Sequence, residues 1–198
     1  DKCDKSMIRF ILTNGLLKVK KRRTYPMYRE KKAITVALYG LLTALALVLS
    51  FVETLIPIPI PIPGVKLGFA NLVTVVGLYL IGIPGTIAVT LVRIVLVGFS
   101  FGNPYSMIYG LSGSFLSLLV MAILKKTGRF SQISISVLGG IAHNIGQITF
   151  AAVIVQTSGV FYYLPFLIAA GCIAGTLIGI VGGLITGRLL CAMRGIKK

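Results

Sequence analysis

Apolar runs of nearly membrane-spanning length fill the chain from residue 33 onward, and they limit the possible folds more than any other feature. A transmembrane helix needs about 20 predominantly apolar residues. Six segments approach this length, at about 33–55, 68–82, 85–100, 105–124, 132–156 and 164–190. In hydrocarbon the backbone polar groups must be satisfied within the segment, which favours helices. The sequence therefore predicts an all-α polytopic membrane protein, with six transmembrane helices in one membrane domain over residues 33–198.

Lysine and arginine are concentrated in three places beside these runs. Eleven of the 20 basic residues lie in residues 1–32, three lie in the segment 125–129, and four lie at or after Arg188. Because basic residues beside membrane spans mark the cytoplasmic side, we predict that both termini are cytoplasmic. This orientation puts 18 basic residues inside, Lys66 outside and Arg93 within a span. The net charge is +16, and we expect the basic residues that produce it to contact membrane lipid and not nucleic acid.

Residues 1–32 form a basic cytoplasmic tail in this scheme. Its apolar piece, residues 7–17, is too short to span a bilayer but could lie in the interface as an amphipathic segment. Alternatively, the natural start is Met27, and the residues before it do not belong to the natural chain. The residues leave both alternatives open.

A proline-rich loop connects the first and second predicted helices. Its prolines alternate with isoleucines and are followed by a glycine: Pro57, Pro59, Pro61, Pro63 and Gly64. Proline disrupts a helix interior and pushes the preceding residue into extended conformation, so the sequence predicts a stiff, extended, apolar loop. The charge count places this loop outside. Irregular backbone at membrane depth is tolerated only where it is buried in protein or lines a cavity, so we expect the loop to cover part of the protein.

Polar side chains in the predicted spans gather in their outer halves. Such residues are costly in hydrocarbon and commonly mark a functional site. The candidate ligand-binding residues are Lys66, Asn71, Arg93, Asn103, Tyr105, Tyr109, His143, Asn144 and Gln147. We expect the inner halves to carry only apolar residues, Ser, Thr and Gly. This asymmetry predicts a one-sided pocket that opens outward, and it argues against a continuous pore.

Two of these candidates have a structural alternative. Arg93 either pairs with Glu53, the only acidic residue after residue 32, or forms a cationic site with Lys66 and His143 that suits a carboxylate or phosphate. His143 either packs in the core or contacts a ligand together with the neighbouring amides. The tyrosines would supply apolar walls with a polar tip. The ligand expected for a cationic site is a small anion with an apolar body.

Small residues recur at four-residue spacing on the first and sixth predicted helices, and such patterns let helix backbones approach closely. On the sixth helix the pattern predicts an internal packing seam of Gly171, Gly175, Gly179, Gly183 and Gly187. On the first helix the small residues either pack internally or form a docking face for a second membrane protein; they are Ala33, Ala37, Gly40 and Ala44.

Signatures of catalysis are scarce. The membrane domain contains one carboxylate, and the sequence has no phosphate-binding glycine–lysine loop and no paired acids for metal-bound diphosphate chemistry. Cys3, Cys172 and Cys191 have neither the spacing of a disulfide framework nor that of a metal site. We therefore expect a protein that is not an enzyme and holds no metal or cofactor. Any active transport would draw its energy from a partner.

Several separate motifs between about residues 30 and 190 resemble one known family. The motifs are GLLTALALVLSFVETLIP, IPGVKLGFANLV, the helix around Arg93, FGNPYSMIYGLSG and GGIAHNIGQ. They look like the membrane family called heptaprenyl diphosphate synthase component I, or Gx transporter. That family in turn resembles the S-components of energy-coupling-factor (ECF) transporters, which are six-helix proteins that bind vitamins or related micronutrients in an outward pocket.

The resemblance to S-components implies roles for the residues found above. The proline-rich loop would be the lid of the pocket, and the outer polar residues would bind the ligand. The small residues of the first helix would dock on a shared ECF transmembrane subunit, with ATPase subunits supplying the energy, in the cytoplasmic membrane of a prokaryote. The family's name implies polyprenyl diphosphate or quinone synthesis instead. Because the chain lacks aspartate-rich motifs, it would then be a non-catalytic membrane accessory subunit.

Overall fold

Six α-helices make up the part of the chain that the structure describes. A computed structural model describes residues 32–55, 69–100 and 104–195. The helices are α1 (Lys32–Leu55), α2 (Asn71–Leu80), α3 (Gly82–Ser100), α4 (Pro104–Thr127), α5 (Gln132–Val155) and α6 (Leu164–Gly195), with a 3₁₀ helix at Ser158–Tyr163. No strand occurs in these ranges, which confirms the all-α prediction. The basic tail before residue 32 and the predicted lid, Pro57 to Gly64, lie outside the described residues.

Five of these helices, all except α2, are long and apolar enough to cross a membrane. Their outer surfaces expose large apolar side chains such as Phe99, Phe115 and Val36, as expected for helices in contact with lipid. The helices therefore support a multi-pass membrane protein. The 10 residues of α2 extend about 15 Å, which is half of the roughly 30 Å hydrocarbon thickness. The sixth span and the cytoplasmic placement of both termini stay predictions.

The short helix α2 lies inside the bundle. Eight of its ten residues are buried, and it contacts α1, α3, α5 and α6. At its last turn, Lys125 of α4 donates a hydrogen bond from Nζ to the Leu78 carbonyl and lies 5.0 Å from the centroid of the Tyr79 ring. A cation at a helix C-terminus satisfies a free carbonyl and interacts favourably with the helix dipole. Lys125 therefore attaches the end of α2 to α4.

Local sequence signals explain two of the connections. α3 begins at Gly82, earlier than predicted, because Pro84 lies in its first turn, where a missing backbone N–H loses no partner. Gly82 itself has φ of 79°, a conformation that favours glycine. After α4, Ser131 caps α5, since its Oγ accepts a hydrogen bond from the Ser134 backbone N–H at 3.1 Å.

Helix α5 occupies the centre of the fold and packs most extensively against α4 and α6. Glycines bring these backbones together. A Cβ added at Gly146 would lie 2.8 Å from the Ser112 carbonyl oxygen of α4, and one at Gly175 would lie 2.7 Å from Val137 Cα of α5. Of the predicted seam on α6, Gly171, Gly175 and Gly179 approach α5 in this way, whereas a Cβ at Gly183 would meet nothing within 4 Å. Gly187 is half-buried.

Alanine substitutions on α6 should separate these two kinds of glycine. Gly175→Ala is expected to lower the free energy of unfolding by about 1–3 kcal/mol, because its methyl group would overlap the α5 backbone. Gly183→Ala is the matched control on the same helix, and it should be neutral or stabilising by up to about 1 kcal/mol because alanine favours a helix. Unfolding in mixed micelles with increasing dodecyl sulfate measures both values. Equal losses at the two positions would contradict the close approach of α5 and α6.

The cysteines of α6 differ from the sequence prediction. Cys172 is a free, half-buried thiol, whereas Cys191 forms a disulfide bond, which the absence of a disulfide framework in the sequence did not lead us to expect. These two residues do not bond to each other, because 19 positions along one helix separate them by about 28 Å.

Candidate functional site

Polar residues that the sequence marks as ligand-binding candidates lie deep in the bundle. Six of the candidates are at most 8% exposed, and they are Asn71, Arg93, Tyr109, His143, Asn144 and Gln147. Glu53 and Ser114 are equally buried. The contacts described next bring five residues together, which we call the central polar cluster: Glu53, Arg93, Ser114, His143 and Gln147.

Arg93 joins α1, α3 and α4 within this cluster. Its Nη2 donates a hydrogen bond to Ser114 Oγ of α4 at 3.1 Å, and Glu53 of α1 attracts its guanidinium by a coulombic interaction. Glu53 also accepts a hydrogen bond from the Phe69 backbone N–H at 3.4 Å, which connects the end of α1 to the residues before α2. Arg93 therefore interacts with Glu53, one of the two alternatives that the sequence left open, and with Ser114.

His143 and Gln147 of α5 face α4 at Gly113. A residue and its i+4 neighbour lie on the same helix face, and only glycine on α4 leaves room for both side chains. A Cβ at Gly113 would lie 2.7 Å from Gln147 Cγ and 3.0 Å from His143 Cε1. His143 also interacts electrostatically with Arg93 and with the backbone of Gly113.

Two acceptor-capable atoms in this cluster have no hydrogen-bond partner within the described part of the chain. They are His143 Nδ1 and Gln147 Oε1, and both are buried. An unsatisfied buried polar group costs about 1–3 kcal/mol. Such groups are rare in native proteins, and each one requires an explanation, such as a bound water, ion or ligand.

Asn144 faces a different helix. Its Nδ2 donates a hydrogen bond to the Leu167 carbonyl of α6 at 2.7 Å. A Cβ at Gly171 of α6 would lie 3.1 Å from the same nitrogen. His143 and Gln147 share one face of the helix, as their spacing in the sequence indicates, and they are directed toward α4, whereas Asn144 is directed toward α6.

The other candidates are distributed around the cluster. Asn71 begins α2 and is buried. Tyr109 is buried in an apolar cluster with Ile148, Ala151, Val160 and Leu167. Within this cluster, Ile148 is the residue that follows Gln147 in the sequence. Tyr105 is 55% exposed and does not line the cluster. Lys66 and Asn103 lie outside the described residues.

The candidate docking residues lie on the outside of α1. Ala37, Gly40 and Ala44 are exposed, and a Cβ at Gly40 would meet nothing within 4 Å. Among the described residues, these three are therefore not packed against the other helices, in contrast to the internal packing that was the simpler alternative from the sequence. For Ala33 only the backbone is described, as part of α1.

The sequence reading missed a buried polar residue at the opposite end of α5. Gln132 is 6% exposed, and its Nε2 donates a hydrogen bond to Thr186 Oγ1 of α6 at 3.3 Å. The prediction that the inner halves carry only apolar residues, Ser, Thr and Gly is wrong at this position. Gln132 is the first residue of α5, where contact with water is expected, but α6 continues past it and buries it. Ser114 was also missed, because serine is common in transmembrane helices.

Comparison with known proteins gives one match. A family model described as "Heptaprenyl diphosphate synthase component I" matches residues 42–185, more than two thirds of the chain. No curated protein matches, and no solved structure matches. The matched region contains the whole central polar cluster, and it confirms the resemblance inferred from the sequence motifs. The chain belongs to the heptaprenyl diphosphate synthase component I family.

Proposed function

We propose that the protein is the substrate-binding membrane subunit of an importer, similar to an ECF S-component, and that the central polar cluster is its ligand site. The observation that carries this proposal is a buried arginine beside two unpartnered acceptor atoms, His143 Nδ1 and Gln147 Oε1, in an apolar bundle. Polar residues kept inside a membrane domain commonly bind a substrate or ion. Replacing such groups with apolar side chains often stabilises a protein, so their presence suggests a functional role.

The proposed ligand is a small, partly apolar anion. Arg93 is the buried arginine of the cluster, and its planar guanidinium can bind a carboxylate or phosphate in bidentate fashion. Glu53 competes for the same guanidinium, which would make the affinity for an anion moderate and its release possible. The apolar cluster around Tyr109 adjoins the polar cluster, because Tyr109 lies about one helical turn before Gly113, which contacts Gln147. This neighbourhood favours a ligand with an apolar body.

The proposed partners are an ECF-type transmembrane subunit and ATPase subunits, in the cytoplasmic membrane of a prokaryote. The protein itself would catalyse no reaction. Support comes from the outer surface of α1, where Ala37, Gly40 and Ala44 are exposed. Small residues allow a second membrane helix to approach closely, so this surface suits a helix from another subunit.

Arg93→Lys tests the assignment of the ligand site. The small molecule that co-purifies with the protein is first identified by mass spectrometry, and its affinity is then measured by isothermal titration. Lysine keeps the positive charge that Glu53 requires but lacks the bidentate geometry of arginine. We expect the dissociation constant to rise at least about tenfold, which corresponds to about 1.4 kcal/mol.

Thr149→Val is the control for this experiment. Thr149 lies on the exposed side of α5, and its hydroxyl donates a hydrogen bond to the Ile145 carbonyl of its own helix at 2.7 Å. Its loss should leave the affinity unchanged. If Arg93→Lys binds the compound as tightly as Thr149→Val does, Arg93 does not contact the ligand.

The family's name supports a second candidate function, a non-catalytic membrane accessory subunit of polyprenyl diphosphate or quinone synthesis. Affinity purification from the native membrane distinguishes the two. Recovery of an ECF-type membrane subunit with ATPases would favour the importer. Recovery of a soluble prenyl diphosphate synthase, whose activity increases when this protein is added, would favour the accessory subunit.

A further inference from the structure

One face of α5 is polar along most of the helix. Gln132, Ser136, His143 and Gln147 follow one another at intervals of four, seven and four residues, which places them on the same side of an α-helix. All four are at most 6% exposed. The face extends about 22 Å from Gln132 to Gln147, roughly three quarters of the hydrocarbon thickness.

Each of these four side chains has a buried polar atom without a hydrogen-bond partner in the described part of the chain. The atoms are Gln132 Oε1, Ser136 Oγ, His143 Nδ1 and Gln147 Oε1. One further atom of this kind is found in the described residues, Ser117 Oγ of α4. Ser117 lies one turn from Ser114, on the part of α4 that faces His143. Buried polar atoms that lack a protein partner are ordinarily bound to water.

Met121 of α4 divides this polar face into two parts. A Cβ at Gly139, which lies between Ser136 and His143 on α5, would be 2.6 Å from both Cγ and Sδ of Met121. Met121 is fully buried and belongs to an apolar cluster with Leu78 and Ile135. An unbranched methionine side chain has three rotatable bonds and adapts to different shapes. Its movement would connect the two polar parts without displacing a helix.

We propose that the polar face of α5 is a water path from the basic end of the bundle toward the central polar cluster, and that Met121 is its gate. The basic end is the end that carries Lys126 and Arg129, next to the start of α5. The path gives the cluster an outlet opposite to the predicted outer mouth, in place of the one-sided pocket that the sequence predicts. This proposal holds whether or not a ligand occupies the central polar cluster.

The test uses silver ion, which is close to water in size and crosses hydrocarbon poorly. Cys3, Cys172 and Cys191 are first replaced with alanine in the full chain. Ser136→Cys and Ile135→Cys are then compared, because these neighbours lie at the same depth and are equally buried, but only Ser136 is on the polar face. Reaction with Ag⁺ is followed as protection of the thiol from later alkylation in denaturant.

The protein is embedded in sealed vesicles in which the basic end faces the added ion, as verified by rapid reaction of Lys126→Cys. We expect Ser136→Cys to react at least about ten times faster than Ile135→Cys. We further expect Met121→Ala to accelerate the reaction of Ser117→Cys, which lies beyond Met121, several-fold. If Ser136→Cys reacts as slowly as Ile135→Cys, the path is dry and the proposal fails. If Met121→Ala does not change the Ser117→Cys rate, Met121 is not the gate.

Discussion

Arg93→Ala is expected to lower the free energy of unfolding by about 3–5 kcal/mol, because it removes one member of a buried pair of opposite charges. Glu53 is 4% exposed and interacts with the Arg93 guanidinium. Ser114 also loses the donor that lies 3.1 Å from its hydroxyl. Dodecyl sulfate titration of the purified protein, followed by circular dichroism, measures the loss. Arg188→Ala removes an exposed arginine of α6 and should change stability by no more than about 0.5 kcal/mol.

The origin of the Arg93 effect can be isolated with a double-mutant cycle. Glu53→Gln removes the negative charge but keeps an oxygen that can accept the Phe69 hydrogen bond. In the Arg93→Ala background, Glu53→Gln should restore at least about 1 kcal/mol, because it removes a buried negative charge that has lost its attraction to the guanidinium. Additive losses from the two substitutions would show that the residues do not interact, and they would contradict the arrangement of the cluster.

The positions of the helices follow from the apolar runs, but the length of α2 does not. A run of about 15 apolar residues looks like a short span when only hydropathy is considered. In the folded chain this helix ends at Leu80. Lys125 of α4 donates a hydrogen bond to the Leu78 carbonyl in its last turn. The following turn at Gly82 needs a positive φ that glycine alone adopts easily. These limits arise from tertiary contacts, which hydropathy does not contain.

The candidate site was predictable to the extent that polar side chains are unusual in apolar helices. Arg93, His143 and Gln147 stand out for this reason, and the structure places them in one cluster. The direction of Asn144 toward α6 depends on which face of α5 meets which neighbour, and a sequence reading of one helix does not provide that. The polar face that begins at Gln132 was detectable from its helical spacing, but it becomes meaningful only because α6 buries the start of α5.

Gln147→Met is expected to stabilise the protein and to weaken ligand binding at the same time. Methionine has a similar shape but no polar atom, so the substitution removes an unpartnered buried oxygen whose burial costs about 1–3 kcal/mol. The same oxygen would accept a hydrogen bond from the bound compound. Its loss should raise the dissociation constant by about 10- to 100-fold if the contact contributes about 1.5–3 kcal/mol. A purely structural role for Gln147 would leave binding unaffected.

The proposal that the central polar cluster binds a ligand is tested most directly by native mass spectrometry of three proteins purified in parallel from the same membranes. These are the unaltered protein, Gln147→Met and the control Thr149→Val, which removes a polar atom from the exposed side of the same helix. We predict that a small-molecule adduct accompanies the unaltered protein and Thr149→Val, and is lost from a Gln147→Met variant that unfolds at an equal or higher dodecyl sulfate concentration. The same adduct at the same occupancy in Gln147→Met would contradict the proposed ligand site.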